Sequence, residues 1–252
     1  MAMTAPHVLV VAGADSSGGA GIVRDIETIA AFGLRACLAV TAVTVQTHKA
    51  VTRSETCAAD LVEAQMRAAL DANRVAAIKI GMLGSAANVE AVARVLADHP
   101  DVPAVLDPVI AASSGRALLA DDALAALRTR LVPLCALVTP NLPELALLAG
   151  GKPADDDARI HDQAARLIGD GAAAVLAKGG HRTGARAVDM LFRRATPPLC
   201  FEGPRLVGTM RGTGCMLASA IAAGLASGSG LEASIAAAKT HVAERWEKTP
   251  AG

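Results

Sequence analysis

The sequence predicts an α/β protein of three layers, with helices on both faces of a mostly parallel central sheet. Short apolar runs alternate along the chain with segments whose apolar residues recur at helical spacing. Strands that alternate with helices pair in parallel through right-handed crossovers, which place helices on both faces of the sheet. No linker-like stretch or internal repeat divides the 252 residues, of which 52% are hydrophobic. Residues 1–252 are therefore predicted to form a single domain.

Each predicted element follows from its local pattern. The apolar run 8–12 ends at Gly13 and predicts a buried strand. Ile22, Ile26 and Ile29 then have helical spacing, and Gly33 is a suitable C-terminal stop for this helix. Further strands are predicted at 36–45, 76–80, 104–106, 134–138, 173–177, 187–192 and 199–201. The helices are predicted at 21–32, 61–69, 88–97, 121–131, 141–149, 157–171, 215–226 and 232–246.

Charge and aromatic content exclude nucleic acid as a partner. The 24 basic side chains are balanced by 24 acidic ones, so the chain has no net charge with which to attract phosphates. Three Phe, one Trp and no Tyr are too few rings to build a base-stacking groove. A core of Ala, Leu, Val and Ile is expected instead.

The sequence indicates a cytoplasmic protein with no membrane association. The N-terminus lacks a basic segment before its first apolar stretch, so it does not resemble a signal peptide. The uncharged run 212–231 is long enough to span a bilayer, but its many Gly and Ser residues favour a buried helix between turns. Five scattered cysteines without C-x-x-C spacing argue against disulfides and zinc clusters.

Candidate functional residues follow the predicted strands, where ligands bind in parallel sheets. The first loop, Gly13-Ala14-Asp15-Ser16-Ser17-Gly18-Gly19-Ala20-Gly21, lets the backbone approach a ligand and leads into a helix whose N-terminus favours an anion. An ordinary flexible loop is the alternative. The loop has neither the G-K-[ST] ending of a P-loop nor a dinucleotide fingerprint.

The segment Gly212-Thr213-Gly214-Cys215 carries a stronger signal. Successive backbone N–H groups at a helix start form an anion-binding concavity, which suits a transferring phosphoryl group. The helix dipole is expected to lower the pKa of the Cys215 thiol, which could deprotonate or position a substrate hydroxyl. The alternative is a small cysteine that packs the start of the helix.

Three further loops add polar side chains to the same edge. Asn141 and Glu144 could hold Mg²⁺ through hard oxygen atoms, or they could form a helix N-cap with no ligand role. Asp107 follows the strand 104–106. Lys178 follows the strand 173–177, where it could meet nucleotide phosphates or could be an ordinary lysine before a turn.

These motifs occur in one order along the chain. They are Gly13-x-Asp15-x-Ser17-Gly18-Gly19-Ala20-Gly21-Ile22, Gln46, Lys79-Ile80-Gly81-Met82-Leu83, Asp107-Pro108-Val109, Thr139-Pro140-Asn141-Leu142-Pro143-Glu144, Lys178-Gly179-Gly180-His181 and Gly212-Thr213-Gly214-Cys215. Together they resemble the hydroxymethylpyrimidine/phosphomethylpyrimidine kinases of the ribokinase-like superfamily, from about Val8 to the last helix. The resemblance implies a three-layer α/β/α ribokinase-like fold and a homodimer. It also implies phosphorylation, with ATP and Mg²⁺, of 4-amino-5-hydroxymethyl-2-methylpyrimidine and then of its monophosphate, for thiamine biosynthesis.

The resemblance also implies roles for single residues. Gln46 would bond the aminopyrimidine edge, and Gly13 and Asp25 would line the same pocket. Met82 is expected to pack against the ring, since the candidate loops contain no aromatic residue. The anion hole would comprise Gly212, Thr213, Gly214 and Cys215, with Cys215 standing where most of the superfamily has a catalytic Asp. Magnesium, phosphate and nucleotide would be held by Asp107, Asn141, Glu144 and Lys178.

Some residues depart from the family pattern, and other functions stay open. Ser16 stands where the family often has Pro, and Arg211 stands where His commonly precedes G-T-G-C. The chain stops soon after Trp246, which puts the second phosphorylation in more doubt than the first. Alternatives are a pyridoxal or pyridoxine kinase, a sugar kinase, which the cysteine disfavours, and a catalytically silent pyrimidine-binding protein.

Overall fold

The computed structural model describes residues 5–111, 118–154, 156–179, 186–205, 208 and 210–248. The strands in this part of the chain are β1 His7–Asp15, β2 Arg35–Gln46, β3 Val51–Thr56, β4 Val75–Ile80, β5 Ala104–Leu106, β6 Leu137–Val138, β7 Ala174–Ala177, β8 Arg186–Arg193 and β9 Thr196–Pro204. Its α-helices are α1 Gly21–Ala31, α2 Ala59–Ala72, α3 Ala86–Asp98, α4 Asp121–Ala126, α5 Leu142–Leu148, α6 Asp157–Gly169, α7 Thr213–Ala226 and α8 Leu231–Glu247.

All nine strands form one sheet in the order β3-β2-β1-β4-β5-β6-β7-β8-β9. The central pairs, from β2 through β1, β4, β5 and β6 to β7, are parallel. The edges are antiparallel, because β3 pairs with β2 and β8 pairs with both β7 and β9. One face packs against α1, α7 and α8, and the other packs against α2 to α6. The predicted three-layer α/β/α architecture is therefore confirmed.

The apolar runs form strands because both faces of the sheet are covered. Residues 8–12 of β1 are at most 1% exposed, as expected for a strand between two helical layers. The uncharged run that begins at Gly212 forms α7, which is packed into the core on the α1 side. No helix in the described part of the chain is long and apolar enough to cross a membrane.

The structure corrects the predicted inner face of α1. Ile22 and Ile29 are buried as predicted, but Ile26 is 38% exposed. The buried position between them belongs to Asp25, which has no exposure. The inward stripe is thus Ile22, Asp25 and Ile29, a spacing that suits a helix equally well. A charged residue can occupy this position because its buried partner, Lys79, lies in the sheet.

Several boundaries differ from the prediction. Strand β3 was missed because its side chains are mostly polar and exposed at the sheet edge. The predicted strand 134–138 is only Leu137–Val138, since α4 continues as a π-turn and a 3₁₀ turn through Leu134. Strand β9 is longer than predicted, and α7 begins at Thr213 rather than Cys215.

Candidate active site

A cavity of about 1420 Å³ opens at the carboxyl ends of the parallel strands. Its volume exceeds the ~300–1,000 Å³ usual for one small-molecule site, so it has room for two ligands side by side. The predicted site residues on its wall are Gly13, Gln46, Met82, Asp107, Asn141, Glu144, Lys178, Gly212, Thr213, Gly214 and Cys215. Residues that lie up to about 200 positions apart in sequence are brought together by strand ends meeting at one edge.

Close packing at the start of α7 explains its two glycines. Gly212 has a φ of +74°, and a Cβ there would lie 2.6 Å from the carbonyl oxygen of Gly19. A Cβ on Gly214 would lie 3.2 Å from Lys178 Nζ and 3.3 Å from Asp107 Oδ2. The backbone of this loop therefore lies directly against the charged groups of the cavity. Its N–H groups and the N-terminus of α7 favour an anion at this point.

Cys215 differs from the prediction in its protonation. Burial raises the pKa of its thiol to about 11, an effect that the nearby Lys79 ammonium only partly opposes. The carboxylates of Asp25 and Asp107 raise the pKa further. The expected lowering of the pKa of the Cys215 thiol is therefore wrong. With a pKa of about 11 the thiol is protonated at neutral pH, because burial disfavours the charged thiolate.

Lys178 and Asp107 form an ion pair between the ends of β7 and β5. Lys178 Nζ lies 2.8 Å from Asp107 Oδ1, and the two side chains are 16% and 4% exposed. Burial would lower the pKa of Lys178, but the negative charges of Asp107 and Glu144 raise it instead. A cation is thus fixed on the cavity wall next to residues 212–214, which we call the glycine loop. Gly180 and His181, which follow Lys178 in the quoted motif, lie outside the described residues.

Asn141 and Glu144 form a capping box and also face the cavity. Asn141 Oδ1 accepts from the Glu144 N–H at 2.9 Å, and Glu144 Oε2 accepts from the Asn141 N–H at 2.8 Å. Burial raises the pKa of Glu144 to about 7, Lys178 opposes this effect, and Asp107 adds to it by repulsion. The helix-cap alternative is confirmed, and it leaves a partly buried carboxyl group on the cavity wall.

Two neighbouring carboxyl groups that repel each other suit a hard divalent cation. Asp107 and Glu144 both line the cavity, and the charge of Asp107 raises the pKa of Glu144. The described residues contain no group of three or more His, Cys, Asp or Glu placed to hold a metal alone. Mg²⁺ needs only one or two carboxylates when substrate phosphates supply its other ligands. The donor set therefore fits Mg²⁺ that arrives with a nucleotide.

Another part of the cavity wall carries the amide of Gln46. Ser16, where the family often has Pro, fixes the Gln46 backbone: its Oγ accepts from the N–H at 2.8 Å and donates to the C=O at 2.9 Å. The side-chain Oε1 accepts from Thr44 Oγ1 at 3.1 Å. A Cβ on Gly13 would lie 3.1 Å from Met82 Sδ, so a larger residue there would require the Met82 side chain to shift.

Asp25 does not line the cavity, so the prediction that placed it in the substrate pocket is corrected. Its carboxylate has no exposure and lies 2.8 Å from Lys79 Nζ, below the cavity floor. Ser219 Oγ also donates to it, at 2.7 Å. Asp25 is occupied by these two partners and cannot contact a ligand directly.

Arg211 was noted in the sequence only as a departure from the family pattern, and several other side chains on the cavity wall were not foreseen. Arg211 pairs with Asp15, and Lys239 pairs with Asp189, whose other oxygen accepts from the Gly179 N–H at 2.8 Å. Two aromatic residues, Phe201 on β9 and Trp246 on α8, also line the cavity. Lys79 stood in one of the quoted motifs without a role, although a charge inside the apolar run 75–80 is a detectable signal.

A family model described as "Phosphomethylpyrimidine kinase" matches residues 15–251. The chain belongs to the phosphomethylpyrimidine kinase family. It is 44% identical to the hydroxymethylpyrimidine/phosphomethylpyrimidine kinase of Streptomyces coelicolor (strain ATCC BAA-471 / A3(2) / M145) over 241 residues. These cover 95% of this chain and 88% of the relative. The family resemblance predicted from the motifs is confirmed.

Two solved structures show the same fold. The phosphomethylpyrimidine kinase of Clostridium difficile 630 matches with a TM-score of 0.83 and 31% identity, over 95% of this chain and 99% of that one. An ADP complex of Bacillus subtilis pyridoxal kinase matches with a TM-score of 0.85 and 28% identity, over 94% and 90%. The ribokinase-like fold of this phosphomethylpyrimidine kinase family member is thereby confirmed.

Proposed function

We propose that the chain is a hydroxymethylpyrimidine/phosphomethylpyrimidine kinase that uses ATP and Mg²⁺ in thiamine biosynthesis. It would phosphorylate 4-amino-5-hydroxymethyl-2-methylpyrimidine and then the resulting monophosphate. The observation that carries this proposal is 44% identity over 95% of the chain to a relative of that name. The cavity supports it, because one wall offers an anion site and paired charges while the other offers an amide for a heterocycle.

The phosphate-binding end of the cavity would promote phosphoryl transfer by aligning the reactants and stabilising negative charge. Phosphoryl transfer has a loose transition state, so catalysis consists mostly of alignment and stabilisation of negative charge. The backbone N–H groups at the start of α7 would face the transferring phosphoryl group. Lys178 would contact the nucleotide phosphates. Asp107 and Glu144 would hold Mg²⁺, which supplies charge neutralisation, while Asn141 keeps Glu144 in place through the capping box.

Cys215 orients the substrate hydroxyl. Its thiol is neutral at pH 7 because burial raises its pKa to about 11. A loose transition state needs little help from a strong base, since the attacking hydroxyl keeps its proton until late. A hydrogen bond from the hydroxyl to the sulfur would align the oxygen for attack. The backbone of Gly21, which can donate to this sulfur, helps to fix it.

The pyrimidine end of the cavity would recognise the polar edge of the ligand's ring. Gln46 would pair with the amino group and ring nitrogen of the aminopyrimidine, and Met82 would pack against the ring face. The aromatic side chains that line the cavity come from β9 and α8, whereas Gly13 lies in β1, Gln46 in β2 and Met82 in the segment after β4. Recognition of the pyrimidine would therefore rest on the Gln46 amide rather than on aromatic stacking.

A pyridoxal kinase is the second candidate, since the B. subtilis pyridoxal kinase shares the fold at a TM-score of 0.85. A coupled ATP assay with hydroxymethylpyrimidine, its monophosphate and pyridoxal, followed by product mass spectrometry, distinguishes the two. We expect the highest kcat/KM with hydroxymethylpyrimidine and a diphosphate product from the monophosphate. A strong preference for pyridoxal would overturn the substrate assignment. Binding of the pyrimidine without any phosphorylated product would favour the catalytically silent alternative.

We also infer a cytoplasmic homodimer. Val43 and Val45 on β2 are 54% and 56% exposed, and apolar side chains next to an edge strand favour contact with a second copy. Sedimentation velocity at micromolar concentration should show a single species of twice the 25.4 kDa chain mass. A Val43→Ser/Val45→Ser double variant should shift it toward the monomer. A wild-type chain that sediments as a monomer would contradict the inference.

A further inference from the structure

Arg211 links the three loops that surround the pyrimidine end of the cavity. Its Nη1 donates to Ser17 Oγ at 2.9 Å and to the Thr47 carbonyl oxygen at 3.0 Å. Its Nη2 lies 3.1 Å from Asp15 Oδ2. The side chains of Arg211 and Asp15 are 21% and 4% exposed, so this ion pair is largely out of water. Arg211 also directly precedes the glycine loop at the start of α7.

The Asp15 side chain is held in the orientation that binds this guanidinium. Its second oxygen, Oδ1, accepts from the N–H and the Oγ of Ser17 at 2.9 and 2.7 Å. Both carboxylate oxygens therefore accept hydrogen bonds, and these bonds hold the carboxylate towards Arg211. Buried ion pairs are weak stabilisers compared with apolar packing, which favours a functional reason for placing a charge here.

The other cations on the described cavity wall are engaged elsewhere. Lys178 pairs with Asp107, Lys239 with Asp189, and the fully buried Lys79 with Asp25. Arg205 follows β9 on the far side of the cavity and bonds the Arg186 carbonyl oxygen. Among the described residues, Arg211 is thus the cavity-lining cation that contacts the loops after β1 and β2, next to Gln46.

The second phosphorylation creates a need for such a cation. The first acceptor is a neutral hydroxymethyl group, but the second is a phosphate monoester, which carries a charge of about −1.5 to −2 at pH 7. Under the proposed function, the N–H groups at the start of α7 would face the phosphoryl group that is being transferred. The acceptor phosphate therefore requires a different positive group, close to both the pyrimidine and this loop.

We propose that Arg211 binds the phosphate of the phosphorylated pyrimidine and so determines whether the chain accepts this second substrate. The inference rests on the proposed function. In the second step an oxygen of the monophosphate attacks the γ-phosphorus of ATP, and a new P–O bond forms. The bond from the γ-phosphorus to the β–γ bridging oxygen breaks, and its electron pair leaves with ADP. The dianionic acceptor has no proton to lose, so this step requires a counter-charge rather than a base.

The guanidinium suits this role better than a lysine would. Its five N–H donors form a planar fork, so it can hold the Asp15 carboxylate at one edge and a phosphate at another. Charge-assisted bonds of this kind are about twice as strong as neutral ones. Asp15 and Ser17 fix the plane of the fork before the ligand arrives, which reduces the entropy lost on binding.

The test measures both phosphorylations in wild type, Arg211→Gln, Arg211→Lys and the control Arg128→Gln. Arg128 is a matched control because it also pairs with one aspartate, Asp170, but is 40% exposed and does not line the cavity. We expect Arg211→Gln to raise KM for the monophosphate at least about tenfold, while kcat/KM for hydroxymethylpyrimidine changes less than about threefold. Arg211→Lys should recover part of the loss, and Arg128→Gln should match wild type.

The first phosphorylation also reports whether each variant is folded. In wild type, KM for the monophosphate should rise with ionic strength, and this dependence should weaken in Arg211→Gln. Equal losses in both steps would show that Arg211 only links the loops, and an unchanged KM for the monophosphate would also overturn the proposal. A wild-type chain active only on hydroxymethylpyrimidine would overturn this inference while leaving the first kinase step standing. Activity on neither substrate would reject the proposed function itself.

Discussion

Lys79 and Asp25 form a fully buried ion pair whose charges both act on the Cys215 thiol. The Lys79 ammonium lies 2.8 Å from both carboxylate oxygens of Asp25, and neither side chain has any exposure. Ser219, one helical turn beyond Cys215 on α7, donates to the same carboxylate at 2.7 Å. The pair and Ser219 therefore fasten β4, α1 and α7 together, with the α7 contact lying just after the glycine loop.

Removal of one partner is expected to destabilise the protein strongly. Lys79→Met leaves the Asp25 carboxylate buried without its cation, a change that typically costs about 3–5 kcal/mol. The double variant Lys79→Met/Asp25→Asn removes both charges and should recover most of this loss. Urea unfolding of both single variants and the double variant measures the coupling. Additive losses would show that the two charges do not depend on each other.

The two glycines that flank α7 should respond differently to alanine. Gly212 and Gly228 both have positive φ, at +74° and +84°. A Cβ on Gly212 would lie 2.6 Å from Gly19 O, whereas a Cβ on Gly228 meets nothing within 4 Å. Gly228→Ala should therefore show only the backbone cost of about 1–2 kcal/mol. Gly212→Ala should lose more stability and also lower kcat at least about tenfold, because the two loops must separate.

Thermal unfolding and steady-state kinetics of the two alanine variants, side by side, check this prediction. Similar stabilities and similar rates would show that the loops move apart without consequence for the site.

The order of strands and helices could be predicted because apolar periodicity is local. The loops that meet at the cavity could also be predicted, since ligand sites in parallel sheets lie beyond the strand ends. The failures involve partners distant in sequence. Asp25 fits the helical stripe of α1 as well as Ile26 does, and only Lys79, 54 positions away, shows which one is buried. Strand β3 has no apolar face to reveal it.

The electrostatics of the site could not be predicted from the sequence, because they also depend on residues that are distant in sequence. The dipole at the start of α7 is a local feature and favours a thiolate at Cys215. Burial of that sulfur depends on the packing of several elements and reverses the shift, raising the pKa to about 11. The pair of Asp15 with Arg211 joins residues 196 positions apart, which no spacing rule could connect.

Glu144 should make stability depend on pH between about 4.5 and 7. Its pKa is raised from 4.5 to about 7 in the folded protein, chiefly by burial. The folded state then binds the proton more tightly than the unfolded state, so this group favours folding at low pH. Its contribution is fully present below about pH 4.5 and is lost as the pH rises through about 7.

Glu144→Gln is a suitable variant because glutamine can form the same capping box. The stability of this variant relative to wild type should increase by about 1–3 kcal/mol from pH 5 to pH 8. Urea unfolding of both proteins at several pH values measures the difference, in which the other titrating groups largely cancel. A difference that does not vary with pH would contradict the raised pKa.

Gln46→Ala should weaken pyrimidine binding with little effect on turnover. The amide is expected to bond the ligand edge equally in the ground and transition states, and loss of such a contact raises KM and leaves kcat nearly unchanged. Removal of an edge contact to a heterocycle is expected to raise KM at least about tenfold. KM for ATP serves as the internal control and should stay within about twofold. Unchanged KM and kcat for the pyrimidine would remove Gln46 from the site.

Substitutions of Cys215 separate orientation of the hydroxyl from its deprotonation. Cys215→Ala should lower kcat far more than it changes pyrimidine affinity, by about tenfold to a hundredfold, because the interaction that it removes aligns the reacting oxygen. Cys215→Ser still offers a hydrogen-bond partner and should retain clearly more activity than Cys215→Ala, since a neutral group suffices for alignment. A thiolate base would make serine as poor as alanine, because a hydroxyl is far harder to deprotonate than a thiol. Steady-state kinetics of the three proteins at pH 7.5, with pyrimidine affinity measured by calorimetry, distinguish the two roles. An unchanged kcat in Cys215→Ala would limit Cys215 to packing the start of α7.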